Sequence, residues 1–118
     1  MPHMLLIHEP VGQRATRSEA EGRATYDRML RWGEELKSRG LLLGAESLAS
    51  TDHAVRVSTP GGRTRIVDGP FAEAKEMVGG FFLVNVDSFD EAVALAERCP
   101  AAEWATVEVR ALAPCFES

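Results

Sequence analysis

Asp68-Gly69-Pro70-Phe71-Ala72-Glu73-Ala74-Lys75-Glu76-Met77-Val78-Gly79-Gly80-Phe81-Phe82-Leu83-Val84 runs a tight corner into a strand that is apolar on both faces. Pro70 fixes its own φ and biases the residue before it away from helix, while Gly69 admits backbone angles other residues avoid. The pair predicts a rigid corner that carries the Asp68 carboxylate. The run from Gly80 to Val86 is broken only by Asn85, so both faces of this strand need cover and it belongs in the middle of a sheet. An amide on such a strand either lines a polar pocket or pairs across an interface, because burying it without partners is costly.

Working outward, Ala54-Val55-Arg56-Val57-Ser58 and Arg63-Thr64-Arg65-Ile66-Val67 flank Thr59-Pro60-Gly61-Gly62, which reads as a hairpin with a Gly-rich turn. Met4 to Ile7 forms a second strand that is apolar throughout. Ser18-Glu19-Ala20-Glu21 and Ser88-Phe89-Asp90-Glu91 each satisfy the capping-box pattern and start helices. The first helix predicts an inward stripe of Tyr26, Met29, Leu30, Gly33 and Leu36 and ends at Gly40, where a left-handed cap is expected. The second turns Phe89, Ala92, Val93 and Ala96 inward and stops near Cys99-Pro100. Leu41 to Glu46 reads as a strand, and Thr106 to Arg110 alternates like a half-buried one.

Strand, helix, strand, hairpin, strand, helix, strand is the α+β, ferredoxin-like βαββαβ plan with an inserted β-hairpin. Two helices cover only one face of such a sheet. On the two central strands, Leu5, Ile7, Phe81 and Leu83 share one parity and Met4, Leu6, Phe82 and Val84 the other. Each large apolar side chain left in water forgoes roughly 1.5–3 kcal/mol, so the uncovered face is expected to meet a second copy, giving a homodimer.

The 118 residues fit one domain with one core. Apolar content of 45% and charged content of 26% are ordinary for a globular protein, and no apolar run approaches a membrane span. The start has no basic leader and reads as a strand rather than a signal peptide. With 13 Lys and Arg against 18 Asp and Glu, the net charge of −5 argues against direct nucleic-acid binding, which needs clustered cations. Cys99 and Cys115 sit in unrelated contexts, so a reduced, cytoplasmic protein is the simpler reading. Three scattered histidines make no metal spacing, and no nucleotide-binding or hydrolase-elbow word occurs, so neither metal nor cofactor is expected.

Asp68 is the leading candidate for chemistry, either as a general base or ligand acceptor or as a cap on the backbone of its own turn. Pro70, Phe71, Glu73 and Lys75 follow it closely enough to form a ligand-binding corner with Asn85. His8 ends the first central strand, five residues from His3, so the two imidazoles point to opposite faces. His8 and Glu46 are the further acid–base candidates if they share a groove with Asp68. Tyr26 and Trp32 read as core or rim aromatics.

The Asp-Gly-Pro-Phe word and the residues after it resemble the YCII-related family in its DGPF-domain branch, from Met4-Leu5-Leu6-Ile7 to Val107-Glu108-Val109-Arg110. That resemblance implies a dimeric α+β barrel. It also implies a linkage to alternative sigma factors, hence a regulatory or interaction module as the alternative to a small-molecule binder with acid–base chemistry. Glu46 follows Gly44-Ala45 where relatives carry a Gly-Gly-Glu-like turn. Another branch resembles a His/Asp enzyme with its histidine on the first helix; here that helix offers Arg23, Tyr26, Asp27 and Arg31 but no histidine, so the dyad does not carry over. Ala74 stands where relatives carry a hydroxyl residue.

Overall fold

Alternation along Pro2–Pro10 (β1) sorts its side chains cleanly: His3, Leu5, Ile7 and Glu9 are buried, while Met4, Leu6 and His8 are half-buried on the opposite face. The computed structural model describes residues 2–117. After β1 come a helix at Glu19–Ser38 (α1), strands at Leu42–Ser47 (β2), Val55–Ser58 (β3), Arg65–Asp68 (β4) and Glu76–Asn85 (β5), a helix at Phe89–Arg98 (α2) and a strand at Thr106–Ala111 (β6). Four strands form one antiparallel sheet in the order β2-β5-β1-β6, and β3 and β4 pair separately as a hairpin. The two central strands are the two the apolar pattern selected, and the sheet with its two helices is an α+β arrangement of ferredoxin-like type.

Both helices start where the capping signals place them. Ser18 accepts from Glu21 N–H while the Glu21 carboxylate accepts from Ser18 N–H. Those bonds hold the Glu21 carboxyl below its ordinary range. Ser88 accepts from Glu91 N–H at the start of α2. Gly40, at φ 72°, turns the chain out of α1.

Both helices lie over one face of the sheet. The core beneath them is Leu5, Ile7, Phe82 and Val84 from the central strands, Trp32 and Leu36 from α1, and Ala92, Leu95 and Ala96 from α2. Trp32 meets Phe82 edge-on at 4.9 Å between centroids. This corrects the parity expectation. Cross-strand pairing sets Leu5 opposite Phe82 and Leu6 opposite Phe81, so odd positions of β1 share a face with even positions of β5. Met4, Leu6, Phe81 and Leu83 then form the uncovered face. Three helix positions also differ from expectation: Tyr26 and Leu30 on α1 are about half exposed, as is Phe89 at the start of α2.

Gly69 does not take positive φ; the glycines that do are Gly12, Gly40, Gly61 and Gly62. The corner needs glycine for a different reason. A Cβ at Gly69 would fall inside the Thr51 carbonyl oxygen and 3.2 Å from the Ala54 oxygen, to which Gly69 N–H donates at 2.8 Å. The strain is one of close backbone approach, not of dihedral angle.

The molecule is flat, with Cα extents of 46 × 43 × 18 Å. Its radius of gyration of 16.1 Å exceeds the roughly 13.5 Å of a compact domain this long, since one helical layer lies on one sheet and the hairpin stands off to the side.

Candidate functional site

A groove of about 540 Å³ opens between α1 and the sheet. Its apolar floor comes from Ile7, Phe82 and Ala45 on the strands and Met29, Leu30 and Gly33 on α1, and Tyr26 and Trp104 stand at its sides. The exposure of Tyr26 and Leu30 has its explanation here: they wall the groove instead of filling the core.

At one end the groove holds a built ion pair. Glu9, the last inward position of β1, is 8% exposed and accepts from Arg14 Nε at 2.9 Å and from Arg14 Nη2 at 2.8 Å. Arg14 Nη2 also approaches the Gly79 carbonyl at 3.4 Å. Such a fork fixes both side chains in orientation as well as charge. It rests on a bulge in β5: Ile7 pairs with Gly80 and His8 with Val78, leaving Gly79 as the extra residue. A Cβ at Gly79 would collide with Glu9 Oε1 and lie 3.1 Å from Arg14 Nη2. Gly79 therefore makes room for the pair against the strand backbone, while Gly80 admits the close approach of the Glu46 carbonyl on β2.

Two more guanidiniums gather at Trp104. Arg28 lies 5.3 Å and Arg17 5.8 Å from the ring centroid. Arg28 is committed to Glu103, an ion pair that holds the Glu103 carboxyl below its ordinary range and raises Arg28. Arg17, a groove residue, makes no ion pair among the described residues. Gln13 donates to the Trp104 carbonyl at 2.8 Å and ties the loop after β1 to the far side of the groove.

The residues singled out from the sequence are placed apart. Glu46, paired with Phe81 on β2, borders the groove. His8 lies on the uncovered face, 2.6 Å from Glu108, while His3 is buried under the helices, so the two imidazoles do lie on opposite sides of the sheet. Asp68 ends the hairpin, paired with Val55; it is exposed, makes neither the turn-capping bonds nor an ion pair among the described residues, and does not line the groove. The groove thus gathers Glu46 but neither Asp68 nor His8. Phe71 is buried with Arg56 stacked 3.6 Å over its ring, whereas Pro70, Glu73 and Lys75 are exposed around it. Asn85 closes β5 as an exposed residue whose N–H donates to Leu41, so it needs no buried partner. Glu9, Arg14 and Arg17 were not singled out, although inward alternation through Glu9 and the unexplained Gly79-Gly80 pair were the available signals.

A family model described as the YCII-related domain matches residues 1–115. The chain belongs to the YCII-related family. Among curated proteins, this YCII-related domain is similar to an uncharacterised protein of Rhizobium meliloti (strain 1021), 41% identical over 68 residues, which is 56% of this chain. The match spans 55% of that relative's length. No helix among the described residues is long and apolar enough to cross a membrane.

Proposed function

We propose that this YCII-related protein is a homodimer whose sheet–helix groove binds a small organic acid. The observation that carries the reading is the Glu9–Arg14 fork seated on Gly79 in the groove that Arg17 also lines: a guanidinium held rigid by a buried carboxylate, and a second one in no ion pair among the described residues. Arg14 commits Nε and Nη2 and makes no hydrogen bond through Nη1 among the described residues. The apolar floor suits a ring or short alkyl body and the two arginines suit its carboxylate. Glu9 already holds Arg14 through two charge-assisted bonds, so its part is to position that arginine rather than to move protons. The reading therefore favours binding over acid–base catalysis. Glu34 and Glu46 are the remaining carboxylates that line the groove and could take part in a proton transfer, and Asp68 and His8 would take part only from a second copy.

The dimer draws support from the uncovered face, where Met4, Leu6, Phe81 and Leu83 form an apolar centre next to the His8–Glu108 pair. Sedimentation equilibrium should give a dimer at micromolar concentration, with an interface of roughly 1,600 Å². The two free thiols suit a reducing cytoplasm.

A thermal-shift and calorimetric comparison of benzoate and phenylacetate with their amides tests the groove. The acids should bind and the amides should not, and Arg17→Gln should weaken the acids about tenfold without lowering stability. Equal binding of acids and amides, or an Arg17→Gln protein that binds as the parent does, would overturn the reading. A second reading, an interaction module linked to alternative sigma factors, draws on the exposed apolar hairpin.

A further inference from the structure

The β3–β4 hairpin lacks what normally holds two strands in place. Both strands are four residues long and every residue in them is exposed. Isolated two-stranded hairpins are marginal in water and need a third strand or a packed face. Register and alternation put Val55, Val57, Ile66 and Asp68 on one face, because Val57 pairs with Ile66 and Val55 with Asp68. The three aliphatic residues are 57%, 63% and 64% exposed. The other face carries Arg56, which is anchored over Phe71. The hairpin is thus tied to its own body by one face and offers three aliphatic side chains and a carboxylate on the other.

A matching surface lies at the opposite end of the sheet. A shallow depression of about 620 Å³ is lined by Met4 and Leu6 of the uncovered face, by Leu112 and Pro114 beyond β6, and by a single charged residue, Arg110. Arg110 is exposed and, like Asp68, has no ion-pair partner among the described residues. A chain cannot lay its hairpin in its own depression. The hairpin leaves the sheet where β2 ends and β5 begins, whereas the depression lies where β1 begins, a strand of nine residues and so roughly 30 Å away. A two-fold axis that stacks the uncovered faces with strand directions opposed brings the hairpin end of each sheet to the depression end of the other, and does so twice.

We propose that the hairpin is an arm that packs its Val55, Val57 and Ile66 face into this depression of a second copy, with Asp68 paired to the partner's Arg110. The arm rests on the dimer proposed above and adds to it a specific contact and a role for the Asp68 carboxylate outside the groove. Three aliphatic side chains and one anion meet an apolar hollow with one cation, so shape class and charge agree.

Charge reversal separates this contact from any other. Asp68→Arg and Arg110→Asp are exposed substitutions that leave the core untouched, and circular dichroism checks that each variant is folded. In sedimentation equilibrium each variant alone should dimerise roughly tenfold more weakly than the parent, since both contacts become like-charged. An equimolar mixture should recover parental affinity, because a heterodimer of the two carries one native and one reversed pair. Variants that dimerise as tightly as the parent, or a mixture no tighter than its components, would overturn the arm and leave the hairpin face to a different protein partner. The parent's own state is read first: a monomeric parent overturns the dimer itself, whereas a dimeric parent with unaffected variants overturns only the arm.

Discussion

Replacing Gly79 by alanine tests whether the Glu9–Arg14 fork is built on the absence of a side chain. The added Cβ would lie 2.7 Å from the Glu9 carboxyl carbon, where carbon atoms normally approach no closer than about 3.5 Å, so the carboxylate must retreat by close to 1 Å. Bonds of 2.9 and 2.8 Å to Arg14 do not survive that displacement. Two hydrogen bonds to charged groups are worth roughly 1.5–3 kcal/mol each, and discounting for the 36% exposure of the Arg14 side chain leaves an expected loss of about 2–4 kcal/mol. The cost should belong to the pair and not to the strand. In a Glu9→Ala background the same substitution should cost less than about 1 kcal/mol, giving a strong non-additive coupling. Urea melts of the four proteins measure it. Equal cost of Gly79→Ala in both backgrounds would refute the account, because the bulge would then be disturbed for reasons unconnected with Glu9.

At the corner, Gly69→Ala should destabilise by about 2 kcal/mol or more through collision with the Thr51 carbonyl, and Asp68→Asn should change monomer stability by less than about 0.5 kcal/mol; matched urea midpoints would contradict the close-approach argument. Cys99 is buried and its thiol is pushed up to about 11 by that burial, whereas Cys115 is exposed, so a thiol reagent at pH 8 should label one cysteine of the native protein and the second only after denaturation. Because Arg28 depresses the folded-state Glu103 carboxyl, its small contribution is present above the ordinary carboxylate range and lost as pH falls through the folded value; Glu103→Gln should flatten that part of the acid melting curve.

Sheet order and helix starts were legible because each has a local cause: capping boxes at Ser18 and Ser88, and continuous apolar runs on the two central strands. The corner's need for glycine was legible too, but its reason was not, since nothing local to Gly69 announces that Thr51 crosses it. The face assignments of β1 and β5 depended on cross-strand register, which residue parity within separate strands does not reveal. The ion pair inside the groove was missed for a related reason. Glu9 and Arg14 are five residues apart in the chain, yet what makes them a pair is a bulge on β5, across the sheet from both. Asp68 drew attention because its word is distinctive, and a distinctive word marks a constrained backbone as readily as a reactive side chain.

The bulge at Gly79 also separates two properties of β5 that strands normally couple. Met77 and Phe82, five residues apart, both face the helices. In an uninterrupted strand an odd spacing would put them on opposite sides, and removing the extra residue would restore an even spacing with the same side chains inward. Chain length at this point can therefore change by one residue without turning the sheet inside out. A relative lacking that residue would keep its core and lose the seat for the carboxylate–guanidinium pair, so in such a lineage the binding chemistry proposed for the groove could be gained or discarded by a single-codon insertion or deletion while the architecture stayed as it was.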